Sequence, residues 1–257
     1  MSEVRQPMIR IALCGSPALE GDDLQALVAA LVRELDGTEP SVESFSGAAD
    51  LVDACSDVDE DSQPIDLVIA CQTLPGITGL QAAAELRDLG LFADGMHFVL
   101  CAADATRAAD AARQDVSAYL VEPITQANLR RILTPLVEAI HSAHASSAVL
   151  KCREGCRRIT FSRIAYVETT GRDQTIHCRD GALLSTRCSS RALFARLSGD
   201  GRFYKLGSSY IVNLDCVESV SMRSGTVTML DGTMIPAPVR LRTELADAIC
   251  AHAHATV

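Results

Sequence analysis

The stretch DLVIACQTLPGITGL, residues 66–80, carries the clearest fold signal in the chain. It begins with a short apolar run, passes through a turn marked by Pro75 and Gly76, and enters a helical pattern after Gly79. A buried strand that turns directly into a helix is the repeating unit of a parallel α/β sheet. Ligands and reactive side chains in such sheets lie beyond the carboxyl ends of the strands. Cys71, the last residue of the apolar run, is therefore a candidate site residue.

The first half of the chain repeats this unit. Apolar runs alternate with helical stripes, and the expected strands are 8–14, 41–45, 65–71, 96–101 and 116–121. Five strands, each followed by a helix, predict an α/β domain with a doubly wound, five-stranded parallel sheet of the flavodoxin-like type, covered by helices on both faces.

The second half has a different period. From residue 149 onward, short alternating or β-branched runs are separated by turns, and Asp-Gly pairs at 180–181 and 231–232 are typical of hairpins. One helical pattern, at 190–197, interrupts them. We expect a mostly-β second domain with one short helix, and the domain boundaries 1–141, 142–148 as a small polar linker, and 149–257.

Charge is distributed unevenly between the halves. Residues 1–145 contain eight Lys and Arg against 23 Asp and Glu, a net charge of −15, whereas residues 146–257 contain 15 against ten, a net charge of +5. A nucleic-acid-binding module attached to a non-binding module has this pattern, and a solvated basic face is the simpler alternative.

Other classes of protein are disfavoured by the sequence. No uncharged apolar run of 18 residues occurs and the first residues do not resemble a signal peptide, so we expect a cytoplasmic protein with no membrane contact. The ten cysteines are scattered, and the one close pair, Cys152 and Cys156, has no second pair at zinc-site spacing. No catalytic constellation is visible, so we expect no enzyme activity, no metal and no cofactor.

Four segments resemble a response-regulator receiver domain over about the first 140 residues: RIALCGSP (10–17), DLVIACQTLPGITG (66–79), FVLCAAD (98–104) and AYLVEPI (118–124). In that family an Asp at the end of the third strand accepts a phosphoryl group, and the matching position here is Cys71. The family's acidic, cation-holding pair matches Gly15 and Ser16, its Thr or Ser after the fourth strand matches Cys101, and its Lys matches Glu122.

These changes argue against phosphoryl chemistry. Phosphoryl transfer to a carboxylate uses a hard cation held by oxygen ligands and a positive side chain that stabilises the developing charge. Gly15 supplies no ligand, Glu122 has the wrong sign, and residues 1–145 contain no lysine. The resemblance therefore implies a pseudo-receiver, which keeps the fold without the reaction.

Cys71 and Cys101 have two interpretations. If the strands follow the usual order of this fold, strands three and four are neighbours and the two Cα atoms lie about 5 Å apart. That separation permits a disulfide and hence a redox switch. Simple packing of two small apolar side chains is the preferred alternative, because buried cysteines commonly do no more and Glu122 would raise a thiol pKa.

Three segments of the second half resemble the LytTR DNA-binding domain over about residues 148–249: RIAYVETTGRDQTIHC (163–178), RFYKLGSSYIVNLDCVESV (202–220) and DGTMIPAPVRLRTEL (231–245). In that family, loops between strands enter successive major grooves. The matching positions are Arg172, Gln174, Lys205, Ser208 and Arg240. Gly207 and Ser208 stand where the family commonly has a His followed by Arg or Lys, so we expect altered affinity or site preference.

Together the two resemblances imply an atypical response regulator of the two-component type. It would bind double-stranded promoter DNA and regulate transcription as a homodimer, without Asp phosphorylation. The first alternative is a protein-interaction module, with a partner on the acidic N-terminal domain and weakened DNA binding. The second is a ligand or thiol sensor that uses the vacated pocket.

Overall fold

The computed structural model describes residues 8–15, 23–56, 63–152 and 155–255. The chain divides into two compact units, Met1–Ala145 and Ser146–Val257. The stretch 142–148, expected as a linker, consists mainly of regular structure, because a helix continues through Ala145 and a strand begins at Ser147. Near the end of that helix, His144 Nε2 lies 2.8 Å from Asp66 Oδ1 with both side chains buried, which anchors the last turn.

The N-terminal unit alternates strands and helices along the chain. Its elements are β1 (Arg10–Cys14), α1 (Leu24–Asp36), β2 (Ser41–Phe45), α2 (Ala48–Ser56), β3 (Leu67–Cys71), α3 (Gly79–Asp88), β4 (His97–Ala102), α4 (Ala108–Arg113), β5 (Ala118–Val121) and α5 (Gln126–Ala145). The strands form one parallel sheet in the order β2-β1-β3-β4-β5. The predicted doubly wound, five-stranded sheet is confirmed.

The inner strands are buried on both faces. All five residues of β3 are buried, and its neighbouring positions belong to two different cores. Leu67 and Ile69 pack with α1 and α5, whereas Val68 and Ala70 pack with α2 and α3. Continuous apolar runs are the expected sequence of strands covered by helices on both faces.

The C-terminal unit is mostly antiparallel. Its elements are β6 (Ser147–Cys152), β7 (Gly155–Thr160), β8 (Ile164–Thr170), β9 (Asp173–Cys178), β10 (Leu183–Thr186), α6 (Ser190–Leu197), β11 (Phe203–Leu206), β12 (Tyr210–Asn213), β13 (Val217–Ser221), β14 (Thr226–Met229), β15 (Met234–Pro236) and α7 (Arg242–Ala255). Seven strands form one sheet, ordered β11-β12-β8-β9-β10-β6-β7, and β13-β14-β15 form another. Helix α7 was not expected from the sequence.

Two apolar cores hold this unit together. One face of the seven-stranded sheet packs against α6 through residues such as Val167, Ile176 and Leu193. The other core contains Tyr166 and Val212 together with residues of the three-stranded sheet and of α7. This second core covers the other face of the seven-stranded sheet at β8, β11 and β12, whereas β9 and β10 alternate buried residues with more exposed ones.

Asn213, at the end of β12, is a structural residue. Its side-chain amide donates to the carbonyl oxygens of Phe161 and Ile164 at 3.3 and 2.7 Å, and its Oδ1 accepts from the Asp215 amide at 3.0 Å. The residue is fully buried, so these bonds satisfy groups that water does not reach.

Among the described residues, no helix combines the length and the apolar character that crossing a membrane would require.

Candidate nucleic-acid interface and a second pocket

Two cysteines lie side by side at the carboxyl end of the N-terminal sheet. Cys71 ends β3 and is paired in register with Cys101 on β4, which confirms the expected strand neighbourhood. Their exposed fractions are 6% and 1%. Burial raises the pKa of the Cys71 thiol to about 11, and Glu122 and Cys14 add to the rise. Burial raises the pKa of Cys101 still further. Both thiols are therefore protonated and poorly reactive at neutral pH.

Gly15, directly after β1, sits against Cys71. Its φ of +87° is strained for any residue with a side chain, and a Cβ added there would lie 2.9 Å from Cys71 Cβ and 2.8 Å from Leu74 Cδ2. An acidic side chain at position 15 would have no room without movement of its neighbours. Ser16, the other position matched to the acidic pair, lies outside the described residues.

Beyond these strand ends is a cavity of about 500 Å³. Its ionisable lining residues are Cys71, Cys101, Asp104, Arg107, Tyr119 and Glu122. Arg107 forms an ion pair with Asp110 at 3.1 Å, and the Tyr119 hydroxyl donates to the Asp104 carbonyl oxygen at 2.7 Å. Within the part of the chain that the structure describes, no group of three His, Cys, Asp or Glu residues could hold a metal ion.

Arg172 and Gln174, the first two DNA-contact candidates, have opposite environments. Arg172 is exposed in the tight turn between β8 and β9. Gln174, two residues later on β9, is 2% exposed, and its Oε1 accepts a hydrogen bond from the Thr169 hydroxyl at 2.6 Å. The base-reading role expected for Gln174 stays a prediction, and the burial of its side chain argues against that role. Gln174 has the same parity as Ile176 and Cys178, so it points to the sheet face that packs against α6.

Lys205 and Ser208 lie at the edge of the large sheet. Lys205 is half-buried on β11, with Nζ 6.0 Å from the centre of the Phe194 ring. This distance allows a weak attraction between the ammonium group and the face of the ring. Ser208 is exposed in the turn between β11 and β12.

Arg240 is exposed in the short 3-10 turn Val239–Leu241, which precedes α7. Pro238, two residues earlier, lines a depression of about 440 Å³ together with Ser208. The depression joins three segments: the turn 206–210, the turn residues 224–225, and the stretch 236–238 with Arg242. Ser208 and the segment that carries Arg240 are thus brought together, whereas Arg172, Gln174 and Lys205 do not line this depression.

Arg242 was missed by sequence reasoning. Its guanidinium donates from Nε to the Ala237 carbonyl oxygen at 3.1 Å and from Nη1 to the Met222 carbonyl oxygen at 3.0 Å. The sequence offers one signal, because Arg242 follows Arg240 by two positions. This spacing alone does not distinguish an arginine that contacts DNA from one that bonds to the protein's own backbone.

Comparisons with known proteins match different parts of the chain. Residues 154–249 match the family model of the LytTr DNA-binding domain. The sensory transduction protein LytT of Oceanobacillus iheyensis is 24% identical over 154 residues, which cover 58% of this chain and 61% of that protein. The match therefore spans less than two thirds of this curated relative.

Two similar solved structures each cover one part of the chain. A response regulator receiver domain protein (CheY-like) from Methanospirillum hungatei JF-1 is 15% identical with a TM-score of 0.40, over 53% of this chain and 98% of its own. A LytTr DNA-binding domain from Bacillus cereus is 19% identical with a TM-score of 0.35, over 40% of this chain and 96% of its own.

The strand order of the N-terminal unit and the family match of the C-terminal unit describe different parts of the chain. The order β2-β1-β3-β4-β5 is one of the two common doubly wound arrangements, the one found in flavodoxin and CheY. Residues 154–249 therefore match the model of a LytTr DNA-binding domain, and they follow an N-terminal unit with the strand order of the CheY-like, doubly wound fold.

Proposed function

We propose that this chain is a transcriptional regulator that binds double-stranded promoter DNA and is not controlled by phosphorylation of an aspartate. The observation that carries the DNA-binding part is the LytTR match over residues 154–249, in a unit whose net charge is +5. The exposed Arg172 and Arg240 supply the side chains that such binding needs, because arginine forks onto guanine or onto a phosphate.

The regulatory part of the proposal rests on the pocket of the N-terminal unit. Cys71 stands at the phosphoacceptor position of the receiver resemblance, and a thiol that is protonated at neutral pH does not replace a carboxylate. Gly15 supplies no oxygen ligand and has no room for one. Glu122 brings a negative charge to the position of the family's lysine. At these three positions the chain supplies neither an oxygen ligand for a divalent cation nor the positive charge of the family's lysine, which supports the proposal that phosphoryl transfer is lost.

Homodimer formation and a protein partner on the acidic N-terminal unit belong to the same proposal. A homodimer would place two DNA-binding domains on a site with two half-sites, so each contact is used twice. The net charge of −15 over residues 1–145 suits a partner with a basic surface and disfavours direct contact of that unit with DNA.

The burial of Gln174 favours a second candidate function. With this amide inside the sheet, and with Gly207 and Ser208 in place of the family's His and its Arg or Lys, three positions of the expected DNA surface lack the family's contact groups. A protein-interaction or thiol-sensing module with weakened DNA affinity would have this pattern.

Salt-dependent DNA binding separates the two candidates. Genomic fragments recovered with the full-length chain would be sequenced, and the affinity of the chain for the enriched fragment and for a scrambled fragment would be measured between low and high salt. A regulator should prefer the enriched fragment, and the logarithm of its affinity should fall linearly with the logarithm of salt concentration. Equal and weak affinity for both fragments would favour the interaction module.

A further inference from the structure

Arg242, the first residue of α7, joins two separate segments of the C-terminal unit. Its Nε donates to the carbonyl oxygen of Ala237, in the segment that leads to Arg240. Its Nη1 donates to the carbonyl oxygen of Met222, in the turn between β13 and β14. A planar guanidinium donates in two fixed directions at once, so this side chain sets the distance between the two segments.

Gly225 supplies the space for this guanidinium. The residue is buried with φ at +70°, and a Cβ added to it would lie 1.8 Å from Nη2 and 2.3 Å from Cζ of Arg242. The guanidinium therefore fills the position that a side chain at 225 would occupy. A backbone hydrogen bond joins the same two segments, since the Ala237 amide donates to the Gly225 carbonyl oxygen at 2.7 Å.

The braced segments belong to the candidate DNA surface. Ser208, Ser224, Pro238 and Arg242 line one depression, and Arg240 follows Pro238 by two residues. Arg240 itself lies in a single 3-10 turn and is exposed, so that turn supplies few contacts of its own to fix the direction of the side chain. The connection from Arg242 to Ala237 lies immediately before this turn.

We propose that Arg242 is a positioning residue for DNA binding, which holds the Arg240 turn against the β13–β14 turn through the space left by Gly225. The inference rests on the proposed DNA-binding function and adds to it a residue that acts through another. Arg242 fixes the turn before DNA arrives, so the complex does not lose affinity to ordering of that turn. Because Nε and Nη1 already donate to carbonyl oxygens, we expect Arg242 to act through the Arg240 turn and not through a phosphate contact of its own.

The test compares Arg242→Ala, Arg242→Lys and Arg240→Ala in the full-length chain, each checked for thermal unfolding. Affinity for the enriched fragment is measured over a range of salt concentrations. Arg242→Ala should weaken binding about tenfold, or 1.4 kcal/mol, with an unchanged salt slope. Arg242→Lys should weaken binding similarly, because one ammonium group does not reproduce the fork between two segments. Arg240→Ala should differ from Arg242→Ala, because loss of a direct phosphate contact at Arg240 would reduce the salt slope by about one unit.

Gly225→Ala provides a second route that keeps the arginine. Its Cβ should displace the guanidinium and weaken binding as Arg242→Ala does, while adding little when both changes are combined, because the two residues share one space. Gly232→Ala is the matched control, since Gly232 has a φ of +83° but no atom within 4 Å of an added Cβ.

Three results would overturn the inference. If Arg242→Ala binds like the parent, or loses about one unit of salt slope, Arg242 either has no role or contacts a phosphate directly. If Arg242→Lys binds like the parent, the positive charge at position 242 supports DNA binding and the two hydrogen bonds of the guanidinium do not. These results leave the proposed DNA binding intact, whereas a parent chain without salt-dependent DNA binding would overturn both.

Discussion

The carboxyl-end pocket of the N-terminal unit and the turns of the C-terminal unit both lie at the ends of strands with buried cores, but they present different side chains. At the pocket, the strand ends bring together buried, protonated thiols and a glycine with no room for a side chain. At the turns, Arg172 and Arg240 are exposed, and Arg242 joins the segment before Arg240 to the β13–β14 turn. The comparison teaches that the apolar residues within the strands form the core in both units, whereas the residues at the strand ends can differ without loss of that core.

Restoring acidic ligands at the pocket should have the largest effect, and the effect should be loss of stability. Gly15→Asp introduces a Cβ into contact with Cys71 and Leu74 at a strained φ, which should cost about 2 to 4 kcal/mol of unfolding free energy. Denaturant titration measures this cost. Gly37→Asp is the control, because Gly37 has a similar φ of +79° and open space around it, so strain alone should cost about 1 kcal/mol.

A second experiment on the pocket tests the loss of phosphoryl chemistry. Neither Cys71→Asp nor the parent should acquire a phosphoryl group from acetyl phosphate and magnesium, because the cation ligands and the lysine would still be missing. Intact-mass spectrometry would detect an adduct. A labile phosphoryl adduct on the parent's N-terminal unit would contradict the pseudo-receiver interpretation.

At the turns, removing Arg240 should weaken DNA binding. Arg240→Ala should cost about 1 to 3 kcal/mol at the enriched site if the side chain reads a base. If it contacts only phosphate, the loss should be similar on all sequences and the salt slope should fall by about one unit. Fluorescence anisotropy at several salt concentrations distinguishes the two. Arg191→Ala removes the same charge from an exposed position on α6 and should leave specific binding unchanged.

Gln174 should affect stability instead of recognition. Gln174→Ala removes the acceptor of the Thr169 hydroxyl inside the sheet, which should lower the unfolding free energy by about 1 to 2 kcal/mol. At temperatures where the variant is folded, the ratio of specific to non-specific DNA affinity should match that of the parent. A folded variant of parental stability that no longer distinguishes the two fragments would return Gln174 to the contact surface.

The smallest effect is expected for oxidation of Cys71 and Cys101. Because the raised pKa of about 11 leaves little Cys71 thiolate at neutral pH, mild oxidant should leave both thiols reduced while the exposed Cys250 reacts first. The rate of Cys71 alkylation should rise about tenfold per pH unit below its pKa, since only the thiolate reacts. Peptide mapping after oxidation measures the outcome, and a Cys71–Cys101 disulfide formed in the folded chain would support the redox interpretation.

The sequence predicts the parallel sheet well because its signal is local. The continuous apolar run that ends at Cys71 predicts burial on both faces of the sheet. The strand order was expected from the receiver resemblance, because the repeated strand-helix unit is compatible with more than one order. The expected starts of β1 and β3 are two residues early, because Ile9 and Ile65 are buried without belonging to the ladder. Helix α7 was missed because most of its apolar residues are alanines, and among its residues whose burial the structure describes only Leu245 is fully buried.

Site residues were harder to predict because exposure depends on strand parity and on contacts distant in sequence. Alternation from Gln174 to Ile176 and Cys178 was available in the sequence and would have placed the amide inside. The role of Arg242 was not available, because it depends on carbonyl oxygens of Ala237 and Met222 that come together only in the folded chain.

The shared space of Gly225 and Arg242 has an evolutionary consequence. Positions 225 and 242 are 17 residues apart but share one volume, so in related sequences only one of them should carry a side chain that fills it. Where a relative carries a side chain at the position of Gly225, we expect a residue other than arginine at the position of Arg242. The pair should therefore co-vary as a unit, while the position of Arg240 should change with the DNA sequence that each relative recognises.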